Sequence, residues 1–152
     1  MRLPSVCGFA VLVIGLTGCS VLGSDPEGEP LEGTAWQLIP LVRGSEVTPV
    51  PADHNLSLRF DEDRLLGVRL DCNGCGGTYV TQGRRIQAAV GVCTLVACPR
   101  ETLVVPFVNA LTRADRYDRD GDVLVLSGPM EGLRFRRIEL DPDHISLTSC
   151  AP

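Results

Sequence analysis

Four cysteines in the middle of the chain are spaced closely enough to act together. Cys72-Asn73-Gly74-Cys75 is formally a C-x-x-C pair, and 17 residues after it Cys93 and Cys98 form a C-x4-C pair. Such a set could close into disulfides, exchange electrons as a thiol–disulfide oxidoreductase, or ligate a metal. A reactive C-x-x-C normally opens a helix whose N-terminus stabilises the thiolate. This one runs through Gly76-Gly77 into a strand-like Thr78-Tyr79, which disfavours redox catalysis by Cys72 and Cys75. The metal reading comes near the spacing of a zinc ribbon, but the second pair is too wide for a zinc knuckle. Disulfides are the favoured chemistry if the protein is exported to an oxidising compartment. Four cysteines allow three connectivities.

The remaining candidates are weaker. All 14 basic residues are Arg, so lysine chemistry such as Schiff-base formation is excluded. Arginine stays protonated and can clamp anions, but it is no ordinary general base. Asp118, Asp120 and Asp122 suggest a calcium loop, yet the glycine at the sixth position and the glutamate at the twelfth are missing. Asp120-Gly121 reads instead as a hairpin tip. His54 and His144 lie in polar, Pro-containing surroundings and read as surface residues. Trp36 could line a ligand cavity, but in a small barrel a packed core aromatic is the better reading. No catalytic residue, bound metal or cofactor is expected, so the chain reads as non-enzymatic.

The context of these residues comes from the N-terminus. Arg2 precedes an uncharged stretch from Leu3 to Gly23 that is most apolar from Phe9 to Leu16, the layout of an export signal. It ends in Leu16-Thr17-Gly18-Cys19, which resembles the bacterial lipobox and implies lipid attachment at Cys19. Residues 1–18 would then be the signal peptide, and the mature chain would carry 13 basic against 19 acidic residues. A membrane reached through the N-terminal lipid is one partner. Anchoring must rest on acyl chains such as palmitate, because a polybasic patch is absent. Ser20 after the cysteine permits an outer-membrane location facing the periplasm if the cell has two membranes. Net acidity argues against nucleic acid as a partner.

Residues 19–32, rich in Gly, Pro and acids, read as the lipidated terminus and a tether. As a flexible coil, Ser20 to Glu32 would span roughly 20 Å. The domain follows over 33–138, and 139–152 reads as a loose tail. Within the domain, Thr34–Val42, Leu56–Phe60, Leu66–Leu70, Thr78–Thr81, Arg85–Val90, Val123–Leu126 and Gly132–Ile138 show short-strand patterning. Leu56, Leu58 and Phe60 alternate with Ser57 and Arg59, and Leu133 and Phe135 with Arg134 and Arg136. From Arg100 to Ala114, the spacing of Leu103, Phe107 and Leu111 predicts one amphipathic helix. Pro106 should kink it or lie close to its start. The expectation is a mainly β fold, a small antiparallel barrel or strongly curved sheet with one α-helix packed on it.

Several segments, in order, carry a family resemblance: Leu31-Glu32-Gly33-Thr34-Ala35-Trp36, Cys72-Asn73 with Gly77-Thr78-Tyr79, Cys93-Thr94-Leu95-Val96-Ala97-Cys98, and Val123-Leu124-Val125-Leu126. Together they resemble the META domain, also called HslJ-like. The resemblance implies a lipocalin-like barrel with a helix, frequent occurrence as an envelope lipoprotein, a loose link to stress tolerance and no established catalytic activity. Cys72 and Cys98 fall where the family commonly has cysteine. Cys75 and Cys93 look like an additional pair, which implies the pairings Cys72–Cys98 and Cys75–Cys93. An envelope protein or a small apolar ligand remains a possible further partner.

Overall fold

The computed structural model describes residues 28–97 and 103–140. Nine strands and one helix follow in order: β1 Thr34–Arg43, β2 Glu46–Pro49, β3 Leu56–Phe60, β4 Leu65–Leu70, β5 Asn73–Gln82, β6 Arg85–Cys93, α1 Val104–Arg113, β7 Arg116–Asp120, β8 Val123–Ser127 and β9 Glu131–Ile138. Every pairing is antiparallel between neighbours. β1 also pairs with β9, so eight strands close into a barrel and β2 is left as a short flap on β1.

The period-2 alternation drives this closure. Leu56, Leu58 and Phe60 of β3, Leu124 and Leu126 of β8, and Leu133 and Phe135 of β9 all point inward and are buried. Closure removes the exposed strand edges an open sheet would leave. The weakest seam lies between β6 and β7, whose registered contact is Arg85 with Arg116. Two backbone bonds reinforce it, Ile86 N–H to the Asp115 carbonyl at 3.1 Å and Tyr117 N–H to the Arg84 carbonyl at 2.9 Å.

The helix packs against β6 and β9. It carries Phe107, Ala110 and Leu111 into the core, where the Phe107 ring meets Phe135 edge-on at 6.3 Å. Pro106 is the third helical residue, in the first turn, where backbone N–H groups have no intrahelical partner to lose. The helix therefore begins just before the proline and needs no kink.

β1 begins at the barrel end formed by Phe60, Leu66 and Thr78, and the chain enters there. The opposite end holds Leu56, Leu70, Asn73 and Cys93. The arriving segment is pinned to the wall. Tyr117 Oη donates to the Glu29 carbonyl at 3.2 Å, and Arg119 pairs with the Glu29 carboxylate at 3.2 Å and donates to the Pro30 carbonyl. Leu31 is buried. Packing thus starts ahead of Gly33, with residues 29–32 held on the barrel rather than extending a free tether.

Candidate functional site

Two constructions on the barrel gather polar chemistry. The first is the cysteine corner, at the end opposite the chain's point of entry. Asn73 and Cys75 lie in β5, a strand that starts earlier than the Thr78 onset expected from sequence. Gly77 belongs there because a Cβ on it would collide with the Ala89 carbonyl oxygen of β6. Cys75 and Cys93 are direct cross-strand partners, and their sulfurs are 1.98 Å apart. Cys72 is also disulfide-bonded. Cys98, assigned to it by the family resemblance, lies outside the described residues, as do Cys7, Cys19, Cys150 and His144. Cys75 thus joins to Cys93 across the sheet and not to Cys72 within the C-x-x-C.

Asn73 locks the loop that follows β6. Its Oδ1 accepts from Val96 N–H at 2.7 Å and from the Thr94 hydroxyl at 3.1 Å, while its Nδ2 donates to the Val96 carbonyl at 2.8 Å. Thr94 Oγ1 in turn accepts from Gly74 N–H at 3.0 Å. The amide side chain acts as an extra peptide unit, pairing with Val96 as a neighbouring strand would. Val92 near the end of β6 and Leu95 in this loop lie largely in solvent, Leu95 at 95% exposure.

The second construction is a cleft on the outer wall, where the loop from Val50 to Asn55 lies over β1. Sequence reading placed His54 on the surface. Its side chain is instead 7% exposed, with Nδ1 3.0 Å from Asp71 Oδ2. Asp71 also accepts from Asn55 N–H at 2.7 Å through Oδ1, and its own N–H donates to the Asn55 carbonyl at 2.8 Å. This double clasp accounts for the left-handed backbone of Asp71, φ 56°, a conformation aspartate tolerates better than most residues. No local sequence signal joins residues 54 and 71, since the contact exists only once β3 and β4 pair. The cleft measures about 490 Å³ and is walled by Gln37, Ile39, Val50, His54 and Arg136 among others.

The other sequence candidates have structural roles. Trp36 is fully buried; its Nε1 donates to Thr34 Oγ1 at 2.7 Å, and the Arg119 guanidinium lies 5.6 Å from its ring centre. Gly121, at φ 55°, forms the β7–β8 turn, and Asp118 pairs with Arg84 at 3.1 Å. Among the described residues no cluster of three metal-ligating side chains occurs.

Tyr79 titrates out of the ordinary. Burial raises its phenol above the usual 10.0, and the Glu32 and Asp61 carboxylates push the same way. Its ring packs edge-on against Phe60 at 4.8 Å. Below pH 10 the phenol is neutral in both folded and unfolded chains. Above it the unfolded phenol ionises first, so folding stability falls as pH rises toward the folded value. Denaturation midpoints between pH 9 and 11 should therefore decline in the wild type and decline less in Tyr79→Phe.

Residues 29–140 match the META domain. The chain belongs to the META-domain family. No curated protein matches the sequence. Among solved structures, a protein from Burkholderia xenovorans determined by NMR superposes with a TM-score of 0.62 at 19% identity, covering 90% of this chain and 99% of that one. A DUF4847 family protein from Bacteroides vulgatus gives a TM-score of 0.57 at 16% identity, with 74% and 98% covered. At these identities the likeness is one of fold. This META barrel therefore shares its fold with proteins of very different sequence.

Proposed function

We propose that this protein is a lipid-anchored, non-enzymatic binding or accessory module of the bacterial envelope, attached through Cys19 and serving envelope stress tolerance. The observation that carries the reading is the cross-strand Cys75–Cys93 pair, with Cys75 fully buried. A sulfur pair closed in a sheet suits a compartment that oxidises thiols and a structural role, since an attacking thiolate must first reach one of the sulfurs. The alternative of a thiol–disulfide oxidoreductase using Cys72 and Cys75 loses its reactive pair, because Cys75 is bonded elsewhere. A cysteine-based metal site loses two ligands for the same reason.

The polarity of the barrel supports the anchoring. The chain reaches the domain at one end, and Val92 near the end of β6 and Leu95 in the Asn73-locked loop stand exposed at the other. A lipid at Cys19 would leave that apolar tip facing away from the membrane, where another envelope protein could meet it. In a two-membrane cell, Ser20 permits a location on the periplasmic face of the outer membrane.

Expression with radiolabelled palmitate tests the reading. The wild-type chain should incorporate label and sediment with membranes, whereas Cys19→Ala should lose the label and keep the uncleaved signal. Equal labelling of both would overturn the assignment of Cys19.

A further inference from the structure

The two cysteines of the C-x-x-C differ in what surrounds their sulfurs. Cys75 is fully buried and belongs to the hydrophobic core. Cys72 is exposed in the turn between β4 and β5, yet it too is disulfide-bonded. Its Sγ lies 3.7 Å from the Val96 carbonyl oxygen and 3.8 Å from the Asn73 amide nitrogen. Val96 stands two residues before Cys98, the partner that the family resemblance implies, so the Cys72 sulfur already sits against the right stretch of chain.

This difference decides which bond a thiol in solution can open. Exchange proceeds by attack of a thiolate on one sulfur while the other sulfur leaves as a thiolate. At Cys75–Cys93, burial blocks attack on Cys75. Attack on the half-buried Cys93 would expel the Cys75 thiolate into the apolar core, where desolvation opposes the charge. Cys72 carries neither handicap. Its sulfur can be reached from solvent, and as a leaving group its thiolate would be hydrated, with the Asn73 amide beside it.

We propose that Cys72 is a site of reversible thiol–disulfide exchange with low-molecular-weight thiols, while Cys75–Cys93 beside it stays closed. A small thiolate attacks the Cys72 sulfur and forms a mixed disulfide with it; the bond from Cys72 to its partner breaks, and the partner leaves as a thiolate that takes up a proton. A second small thiolate then displaces Cys72, which is protonated in turn. Two thiols are thereby oxidised to their disulfide, and one protein disulfide is reduced to two thiols. The step acts on the loop after β6. Asn73 Nδ2 donates to the same Val96 carbonyl that the Cys72 sulfur lies against, so the sulfur and the amide hold one point of that loop. Opening the Cys72 bond leaves Asn73 and Thr94 to hold it alone. The site is independent of the anchoring at Cys19, and it differs from a C-x-x-C oxidoreductase because Cys75 takes no part.

Exposure of the native full chain to reduced glutathione, with thiols trapped by N-ethylmaleimide and located by peptide mapping, tests the proposal. Label and the glutathione mixed disulfide should appear at Cys72, and Cys75 and Cys93 should open at least about tenfold more slowly. Circular dichroism should show the barrel intact throughout. In the opened form the Val96 amide, which donates to Asn73 Oδ1, should exchange its hydrogen faster, and reoxidation should restore its protection. Cys72→Ser should show the same loosened Val96 amide without any reductant, again with an unchanged dichroism spectrum. The proposal is overturned if Cys75 and Cys93 are labelled as fast as Cys72, if Cys72 stays bonded until the barrel unfolds, or if opening its bond leaves the Val96 amide as protected as before.

Discussion

Removal of the Cys75–Cys93 link, by the double substitution Cys75→Ala with Cys93→Ala, should lower folding stability by about 3 kcal/mol, the loop-closure value for a loop of this length. The bonded residues are 18 apart in sequence, so the open chain regains the freedom of a substantial loop while the folded barrel loses few contacts. For a domain of this size that corresponds to a melting temperature lower by roughly 10–20 °C. Thermal unfolding followed by far-UV circular dichroism is the direct check. The double variant should melt at the same temperature with or without reductant as far as this pair is concerned, whereas the wild type should fall on reduction. An oxidised wild type no more stable than the double variant would show that the pair contributes nothing, and would reopen the thiol chemistry that the C-x-x-C spacing suggests.

The location of the effect matters as much as its size. The pair sits where β5 meets β6, beside the register shift between Cys75 and Gly77, and close to the loop that Asn73 clasps. β6 has little strand pairing on its other side, where β7 meets it only near Arg85. A covalent tie on the β5 side therefore secures a strand that the barrel holds weakly on its opposite edge. Local opening on loss of the bond should be concentrated in β6 and the Thr94–Val96 loop, which hydrogen exchange would register as lost protection there before it appears in β3 or β9.

How much of this was legible in the sequence depended on whether the signal was local. The alternation of Leu56, Leu58 and Phe60 and of Leu133 and Phe135 encoded strand, facing and burial together, because burial on one face demands a period of two. The helix was legible for the same reason, through the spacing of Phe107 and Leu111. β2 was not, since Glu46-Val47-Thr48-Pro49 is short, exposed and ends in proline, and only its pairing with β1 makes it a strand. The opening of β5 was also hidden: Asn73-Gly74-Cys75-Gly76-Gly77 has poor strand propensity and is held extended by its neighbours on both sides. The outer-wall cleft was hidden differently. Ser57, Arg59, Arg134 and Arg136 could be read as outward-facing, but which of them stand side by side depends on register between strands far apart in the chain. His54 and Asp71 belong to the same class, a contact created by tertiary structure.

Trp36→Ala should cost more than any other single substitution in the barrel, about 3–5 kcal/mol, as expected for removal of a fully buried large aromatic. The side chain is completely shielded, and it also organises the segment on which the chain enters. Its indole N–H donates to Thr34 Oγ1, the Thr34 hydroxyl donates to the Leu31 carbonyl, and Arg119 covers the ring while holding Glu29 and Pro30. Truncation leaves a void and strips the partner from Thr34 at the same time. Trp36→Phe keeps much of the volume and loses the hydrogen bond, so it should fall between wild type and alanine. Since Trp36 is the chain's single tryptophan, urea unfolding should be followed by circular dichroism for all three proteins. The result also bears on what the barrel interior is for. A packed interior predicts the full loss for alanine, because cavity cost adds to lost burial. A loss below about 1 kcal/mol would mean that the space around Trp36 tolerates emptying, as a ligand-holding barrel would. Trp36, Phe60, Phe107 and Phe135 are all fully buried in one core, which is why the full loss is the expected result.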